Sequence, residues 1–336
     1  MSGPLRHIAV VGAGRMGEGI ALAFAQAGLQ VSLIDLKVRE AQADYFQALR
    51  RNLQAEAHSL VALELIGRLQ AEQLLARIHL LTRAEGEQAL AGCRLIFEAV
   101  PEVLDAKREA MAWIDQHGAV DSIIASTTST FLVTELAQMV SQPQRMLNAH
   151  WLNPAHLMPL VEVSRSEQTC EAVLAELLAT LQSIGKVAVV CNAAPGFIVP
   201  RLQALVMNEA ARMVEEGVAS AEQIDLAVRS GFGLRFSVLG LLEFIDWGGG
   251  DILHHASAYL SQHLGERYQA AQAVQANMAA GRNGLREGEG FYDYRQVDVA
   301  AYRQERLAAL VQRVRQAGLA PRFASGLEAL DEPLLL

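Results

Sequence analysis

Over the first half of the chain, short apolar runs rich in β-branched residues alternate with longer stretches whose apolar positions recur every three to four residues. His7–Val11, Val31–Ile34, Leu95–Val100 and Ser122–Ala125 read as strands buried on both faces of a parallel sheet, and Met158–Val163 and Lys186–Val190 add two more. Helical patterns run from Glu18 to Ala27 and from Cys170 to Ile184. A longer helical stretch, about Arg39 to Leu81, predicts two helices with a break near Ala57-His-Ser59, more than a single crossover requires. From about Ile198 to Glu216 the pattern is one long helix. Beyond it the chain reads as helical throughout, with glycine-rich loops at Ser230–Leu234, Trp247–Gly250 and Gly281–Gly290. Alternating strands and helices followed by helices alone predict a sheet domain and then an all-α domain. The composition shift near Asn192–Pro195 puts the boundary between 1–193 and 194–336.

The first strand runs directly into Gly12-Ala-Gly14-Arg15-Met16-Gly17, a helix closing on Gly28, and a second strand ending at Asp35. Glycines alone are a weak signal; strand, fingerprint, helix, strand and terminal acid in that order are a strong one. Gly12 permits the tight turn, Gly14 lets backbone approach a pyrophosphate, and Gly17 lets the helix pack on the strand. The N–H groups of the helix N-terminus then face the phosphates. The first domain is therefore expected to be a Rossmann-like doubly wound sheet with a helical-hairpin insertion. Asp35 is expected to accept hydrogen bonds from the adenine ribose and to repel a 2′-phosphate, so that NAD is preferred over NADP, with Lys37 weakening that preference slightly.

Composition narrows the partners. The 336 residues carry a net charge of −9 and are 51% hydrophobic, which disfavours nucleic acid, since phosphate backbones need a basic face. Cys93, Cys170 and Cys191 are widely spaced and match no metal or disulfide pattern. No apolar run reaches membrane-spanning length and no signal-peptide layout precedes the first strand, so a cytoplasmic location is expected. Arginines 50, 51, 68 and 77 on the helical insertion could meet the phosphates of a coenzyme A tail, but such charges are more often a solvated helix face.

The segment Asn148–Val163 holds the candidate chemistry. His150 can take or give a proton near neutrality. Glu162 ends an apolar run, where a carboxylate is costly without a partner. If the chain folds back between them, Glu162 orients the imidazole as in general acid–base catalysis. A satisfied core histidine with an unrelated glutamate is the other reading, and the segment alone leaves both open. His156 is close by, but no third ligand is spaced for zinc. The ends of the third and fourth strands bring Glu98–Glu102 and Ser126–Thr130 to the crevice, with Ser129 the candidate substrate ligand and Ser129 or Thr130 a possible helix cap. Phe291 and Tyr292 are expected to fill the helical core.

Taken together, the chain resembles the L-3-hydroxyacyl-CoA dehydrogenase family. The matching pieces are Gly12–Gly17, Glu98-Ala-Val-Pro-Glu102, Ala125–Ser129, His150-Trp-Leu-Asn-Pro154, Met158–Glu162, Pro195-Gly-Phe-Ile-Val199 and Gly290-Phe-Tyr292. The resemblance implies His150 as base, Glu162 as its orienting carboxylate, Ser129 as ligand of the substrate hydroxyl, and Asn153, Glu102 and Lys107 near NAD. It also implies that the helical domain dimerises and closes the substrate site. Two departures stand out. Pro200 occupies a position where the family has an asparagine that contacts substrate, and Gly231-Phe-Gly-Leu-Arg-Phe236 replaces a proline-rich loop. The second is similar to the branch containing L-gulonate 3-dehydrogenase (lambda-crystallin) and carnitine dehydrogenase, in which Arg235 would bind a free carboxylate. The expected activity is oxidation of a short-chain L-3-hydroxyacyl-CoA; the alternatives are a free 3-hydroxy-acid dehydrogenase and a non-catalytic NAD-binding protein.

Overall fold

In the computed structural model, which describes residues 5–320, one eight-stranded sheet runs in the order β3-β2-β1-β4-β5-β6-β7-β8. The strands are β1 (His7–Val11), β2 (Gln30–Asp35), β3 (Ile78–Thr82), β4 (Leu95–Glu98), β5 (Ile123–Ser126), β6 (Met146–Trp151), β7 (Leu160–Arg165) and β8 (Val187–Asn192). The order reverses between β1 and β4, which is where a doubly wound sheet opens its ligand crevice. All pairings are parallel except β6 with β7.

Helices cover both faces, which is why the central strands need no polar side. On one face α1 (Arg15–Gln26) packs Ile20 and Phe24 onto Val10, Leu33 and Phe97. Phe24, Phe97 and Trp151 form an aromatic cluster with ring centroids 5.3–6.1 Å apart. The hairpin α2 (Gln42–Ala62) and α3 (Arg68–Ala76) adds Leu49, Leu53, Leu60 and Leu74 to this core. On the other face α4 (Arg83–Ala91), α5 (Leu104–His117) and α6 (Val133–Leu136) enclose Val11, Ile34, Ile96 and Met146. The amphipathic α7 (Glu171–Ser183) leads into β8.

Four expectations about elements need correction. Trp247–Gly250 is not a loop: helix runs to Gly248 and resumes at Gly250, with Gly249 alone between at φ of +106°. The helical pair breaks at Leu63–Gly67, not at Ala57–Ser59, which is continuous helix. Ala57 and Leu60 are buried there, whereas Gly67 begins α3 with the Gln70 side chain returning to its N–H at 2.7 Å. Ile78–Thr82 is not the end of a helix but the edge strand β3, paired along β2. Ser230–Leu234 is helical, a π-turn (Val228–Phe232) running into a short helix, and not a loop.

The described residues fall into two compact units, divided between Asn208 and Glu209. The long helix α8 (Val199–Glu215) begins in the first. In the second, α9 (Ala221–Ala227), α10 (Gly233–Phe236), α11 (Leu241–Gly248), α12 (Gly250–Leu264), α13 (Gln272–Ala279) and α14 (Val299–Gln316) give the helical architecture. The buried Asp246 organises it by accepting the N–H groups of Phe291 and Tyr292, each at 2.9 Å. Tyr294, not Tyr292, is the buried aromatic of this loop; Tyr292 is half exposed.

Candidate active site

A cleft of about 660 Å³ lies along the C-terminal ends of β1, β2, β4 and β5 and the segment after β6, a size ordinary for a cofactor site. Gly12, Gly14, Arg15, Met16, Asp35, Glu102, Ser129, His150 and Asn153 all line it. Lys107, Glu162 and Gly17 stand behind this wall.

The glycine loop fits a dinucleotide on its own geometry. Gly12 has φ of +115°, and a Cβ there would lie 2.5 Å from the Ala99 carbonyl. A Cβ on Gly17 would fall 1.9 Å from the Gly12 oxygen, whereas one on Gly14 would meet nothing within 4 Å. Gly14 is thus the open point of the loop. It is also the N-cap of α1, where no side chain takes the first-turn N–H groups, so they remain for an anion. Asp35 closes β2 at the cleft, almost fully buried.

Glu98, at the end of β4, and Lys107, on α5, are both fully buried and paired at 3.1 Å. Glu98 also accepts the Val100 N–H at 2.8 Å and the Ser126 hydroxyl. Lys107 reaches Glu102 at 3.4 Å, and Glu102 in turn accepts from the Thr128 hydroxyl and, at 2.9 Å, from the Thr130 N–H. Burial alone would raise the Glu102 carboxyl; the Thr128 hydroxyl, Lys107 and the Thr130 N–H outweigh it and hold the group below its ordinary range. This network ties the loop after β4 to the loop after β5, so Lys107 shapes the cleft from behind. It is Thr128, rather than Ser129 or Thr130, that caps the following turn, accepting from Phe131 N at 2.9 Å. The Ser129 hydroxyl is left at the cleft surface, 3.5 Å from that of Thr130.

The antiparallel register sets His150 directly opposite Glu162. Residues so paired share a face of the sheet, and the Nδ1 of His150 lies 2.8 Å from Glu162 Oε2. Glu162 is fully buried, and its other oxygen accepts from Ile198 N at 2.9 Å and Val199 N at 2.8 Å, at the start of α8. A helix N-terminus and charge-assisted bonds thus compensate the buried carboxylate. Phe197 stacks on the imidazole at 5.4 Å and 18°. With Nδ1 engaged and one ring face covered, Nε2 is the nitrogen left for a ligand.

Several supporting residues lay outside the sequence reading. Lys186 is buried and donates to the carbonyls of Ala155 and Met158 at 2.8 Å, pinning the loop that follows Asn153; burial pushes its amine below the ordinary range. Tyr45 and Arg39 line the Asp35 end, and Gln203 lines the wall beside Pro200. His156 meets Glu56 at 3.5 Å. Arg235 belongs to the second unit, where its guanidinium lies over the Phe244 ring, 4.6 Å from the centroid.

Residues 7–194 match the model of the 3-hydroxyacyl-CoA dehydrogenase NAD-binding domain, and residues 196–294 match that of the C-terminal domain of the same family. Among curated proteins, a 5-formyl-3-hydroxy-2-methylpyridine 4-carboxylate 5-dehydrogenase of Mesorhizobium japonicum is 32% identical over 308 residues, covering 91% of this chain and 96% of that one. A probable 3-hydroxybutyryl-CoA dehydrogenase of Bacillus subtilis is 33% identical over 292 residues, 86% of this chain and 98% of that one. The crystal structure of a 3-hydroxyacyl-CoA dehydrogenase from Archaeoglobus fulgidus superposes with a TM-score of 0.73 at 32% identity, covering 94% of this chain and 99% of that one.

Proposed function

From the premise that the chain belongs to the 3-hydroxyacyl-CoA dehydrogenase family, NAD-dependent oxidoreductases, we propose that it oxidises a short-chain L-3-hydroxyacyl-CoA to the 3-ketoacyl-CoA. The observation that carries this reading is the buried His150–Glu162 pair on the wall of the cleft that the glycine loop also lines. Bound NAD supplies the hydride acceptor. The protein has to hold the carbinol carbon in place and manage one proton.

Neutral His150 takes the hydroxyl proton on Nε2 as the C–H bond is lost from the same carbon. Glu162, fixed by two backbone N–H groups, keeps the Nδ1 proton in place and stabilises the imidazolium that forms. In the reducing direction the same nitrogen delivers the proton. Ser129 holds the substrate oxygen, and Asn153 the nicotinamide side. Glu102 and Lys107 keep the intervening loop in shape. Residues 1–193 serve as the cofactor domain and 194–336 as the domain for substrate closure and dimerisation, in the cytoplasm.

A second reading has its own support. Pro200 lines the cleft where a side-chain amide would otherwise serve an acyl-CoA, and the Mesorhizobium relative is named for a pyridine carboxylate. On this reading the substrate is a small free hydroxy acid, and Arg235 forks onto its carboxylate. NADH production from 3-hydroxybutyryl-CoA and from free 3-hydroxy acids separates the two. The thioester is expected to be preferred by about a hundredfold in kcat/KM, with Arg235→Ala changing that value less than about threefold. A preference for the free acid, lost in Arg235→Ala, would reverse the assignment.

Homodimerisation has a physical basis in α8. None of its side chains is buried, and Leu202, Leu205 and Val206 form an exposed apolar stripe at helical spacing. Sedimentation equilibrium is expected to give twice the chain mass of 36.4 kDa. A monomer at micromolar concentration would contradict this.

A further inference from the structure

An acid at the end of the second strand selects the unphosphorylated ribose in two ways. It accepts hydrogen bonds from the hydroxyls, and its charge repels a 2′-phosphate. Both depend on a carboxylate whose charge is not already spent. Asp35 does not meet that condition. Its Oδ2 accepts from Arg39 Nε at 2.6 Å and Gln42 Nε2 at 3.2 Å, and its Oδ1 from the Lys37 N–H at 3.3 Å and Arg39 Nη2 at 3.5 Å.

Arg39 is itself held in place. Its guanidinium lies 3.7 Å from the centroid of the Tyr45 ring, and the Tyr45 hydroxyl donates to the Ala13 carbonyl at 2.6 Å. That anchors the stack to the glycine loop. The Arg39 side chain remains 30% exposed and lines the cleft, as do the exposed Arg15 and Lys37. The Asp35–Arg39 pair therefore shares the cleft with two further cations, Arg15 and Lys37. A phosphate on the ribose would bring a charge of about −1.5 to −2 at neutral pH and three acceptor oxygens. Guanidinium is the side chain best suited to receive it.

We infer that the protein binds NADPH as well as NADH, and that Arg39 is the residue governing the ratio between them. The inference rests on reading this cleft as the dinucleotide site. The same chemistry, a phosphate on an adenine ribose, is also offered by the 3′-phosphate of coenzyme A, so the experiment has to separate the two sources.

Isothermal titration calorimetry on the full-length protein, with NADH, NADPH and adenosine 3′,5′-bisphosphate as titrants, provides the test. NADPH is expected to bind within about tenfold of NADH, and its affinity to fall more steeply with added salt, since exposed cations are screened. Arg39→Ala is expected to raise the NADPH-to-NADH ratio of Kd by about tenfold, with Arg39→Lys recovering part of the loss. The ratio is the readout, so a general weakening of the site does not imitate the effect. NADPH binding weaker than that tenfold window, or a ratio unmoved in Arg39→Ala, would overturn the inference while leaving NAD binding intact. Failure of NADH itself to bind would instead overturn the reading of the cleft. If only the 3′,5′-bisphosphate depends on Arg39, the contact belongs to a coenzyme A tail and the inference fails.

Discussion

His150→Gln is expected to lower kcat by about 10²–10⁴-fold while leaving NADH binding within about threefold of wild type. Glutamine has nearly the reach of the imidazole, with its amide at the position of Nε2. What it lacks is a basic nitrogen facing the cleft. Phe197 covers one face of the ring and Glu162 holds its far nitrogen, so Nε2 is the one atom of this side chain able to accept the hydroxyl proton. Stopped-flow measurement of NADH formation, with Kd from fluorescence titration, checks both halves. Turnover close to that of wild type would mean that another group takes the proton, and the assignment of His150 would fall.

The pairing behind that expectation was half legible in the sequence. A histidine and a glutamate twelve residues apart in an apolar segment suggested a fold-back, and β6 and β7 do pair antiparallel with the two residues opposite. The rest of the arrangement comes from residues far along the chain. Ile198 and Val199 bond Glu162, Phe197 stacks on His150, and Lys186 clamps the loop between. No local pattern encodes such contacts, although the Pro195-Gly-Phe197 turn before a helix marked where a helix start would present its N–H groups.

Elements were legible where the apolar period was unambiguous. Strand β3 was hidden because Ile78-His-Leu-Leu-Thr82 is short, leucine-rich and at a sheet edge, and so carries neither the continuous β-branched run nor a clean alternation. The hairpin break was misplaced because polar His58 and Ser59 looked like an interruption. The better signal was Gly67, the one glycine between Arg39 and Leu81. Asp35 was expected to serve as the ribose acid, but Arg39, four residues on, was not recognised as its partner, since the separation alone does not say whether two side chains in a loop converge.

Lys107→Met is the second large effect. Removing the ammonium leaves Glu98 charged in a fully buried site with only the Ser126 hydroxyl and the Val100 N–H as donors. Breaking a buried pair in this way costs about 3–5 kcal/mol, well above the expectation for a surface lysine. Urea unfolding of the full chain is expected to move to lower denaturant by a corresponding amount. The double variant Glu98→Gln/Lys107→Met should be more stable than Lys107→Met alone, because no stranded charge remains. Since the pair fixes the Val100–Glu102 and Thr128–Thr130 segments, NADH affinity should fall with stability. An unchanged midpoint for Lys107→Met would show that the interior tolerates the lone carboxylate.

The reversal of direction between β6 and β7 makes the distance between His150 and Glu162 a matter of parity. Side chains on a strand point alternately to either face, so adding or deleting one residue within either strand would turn the imidazole or the carboxylate to the opposite face. A change of two would preserve the face but slide the partners roughly 7 Å apart along the strands. The connecting segment Leu152–Pro159 carries no such constraint for the pair itself, though it holds Asn153. Its length is held instead by Lys186, which donates to the Ala155 and Met158 carbonyls, so an insertion there would break that clamp before it separated His150 from Glu162.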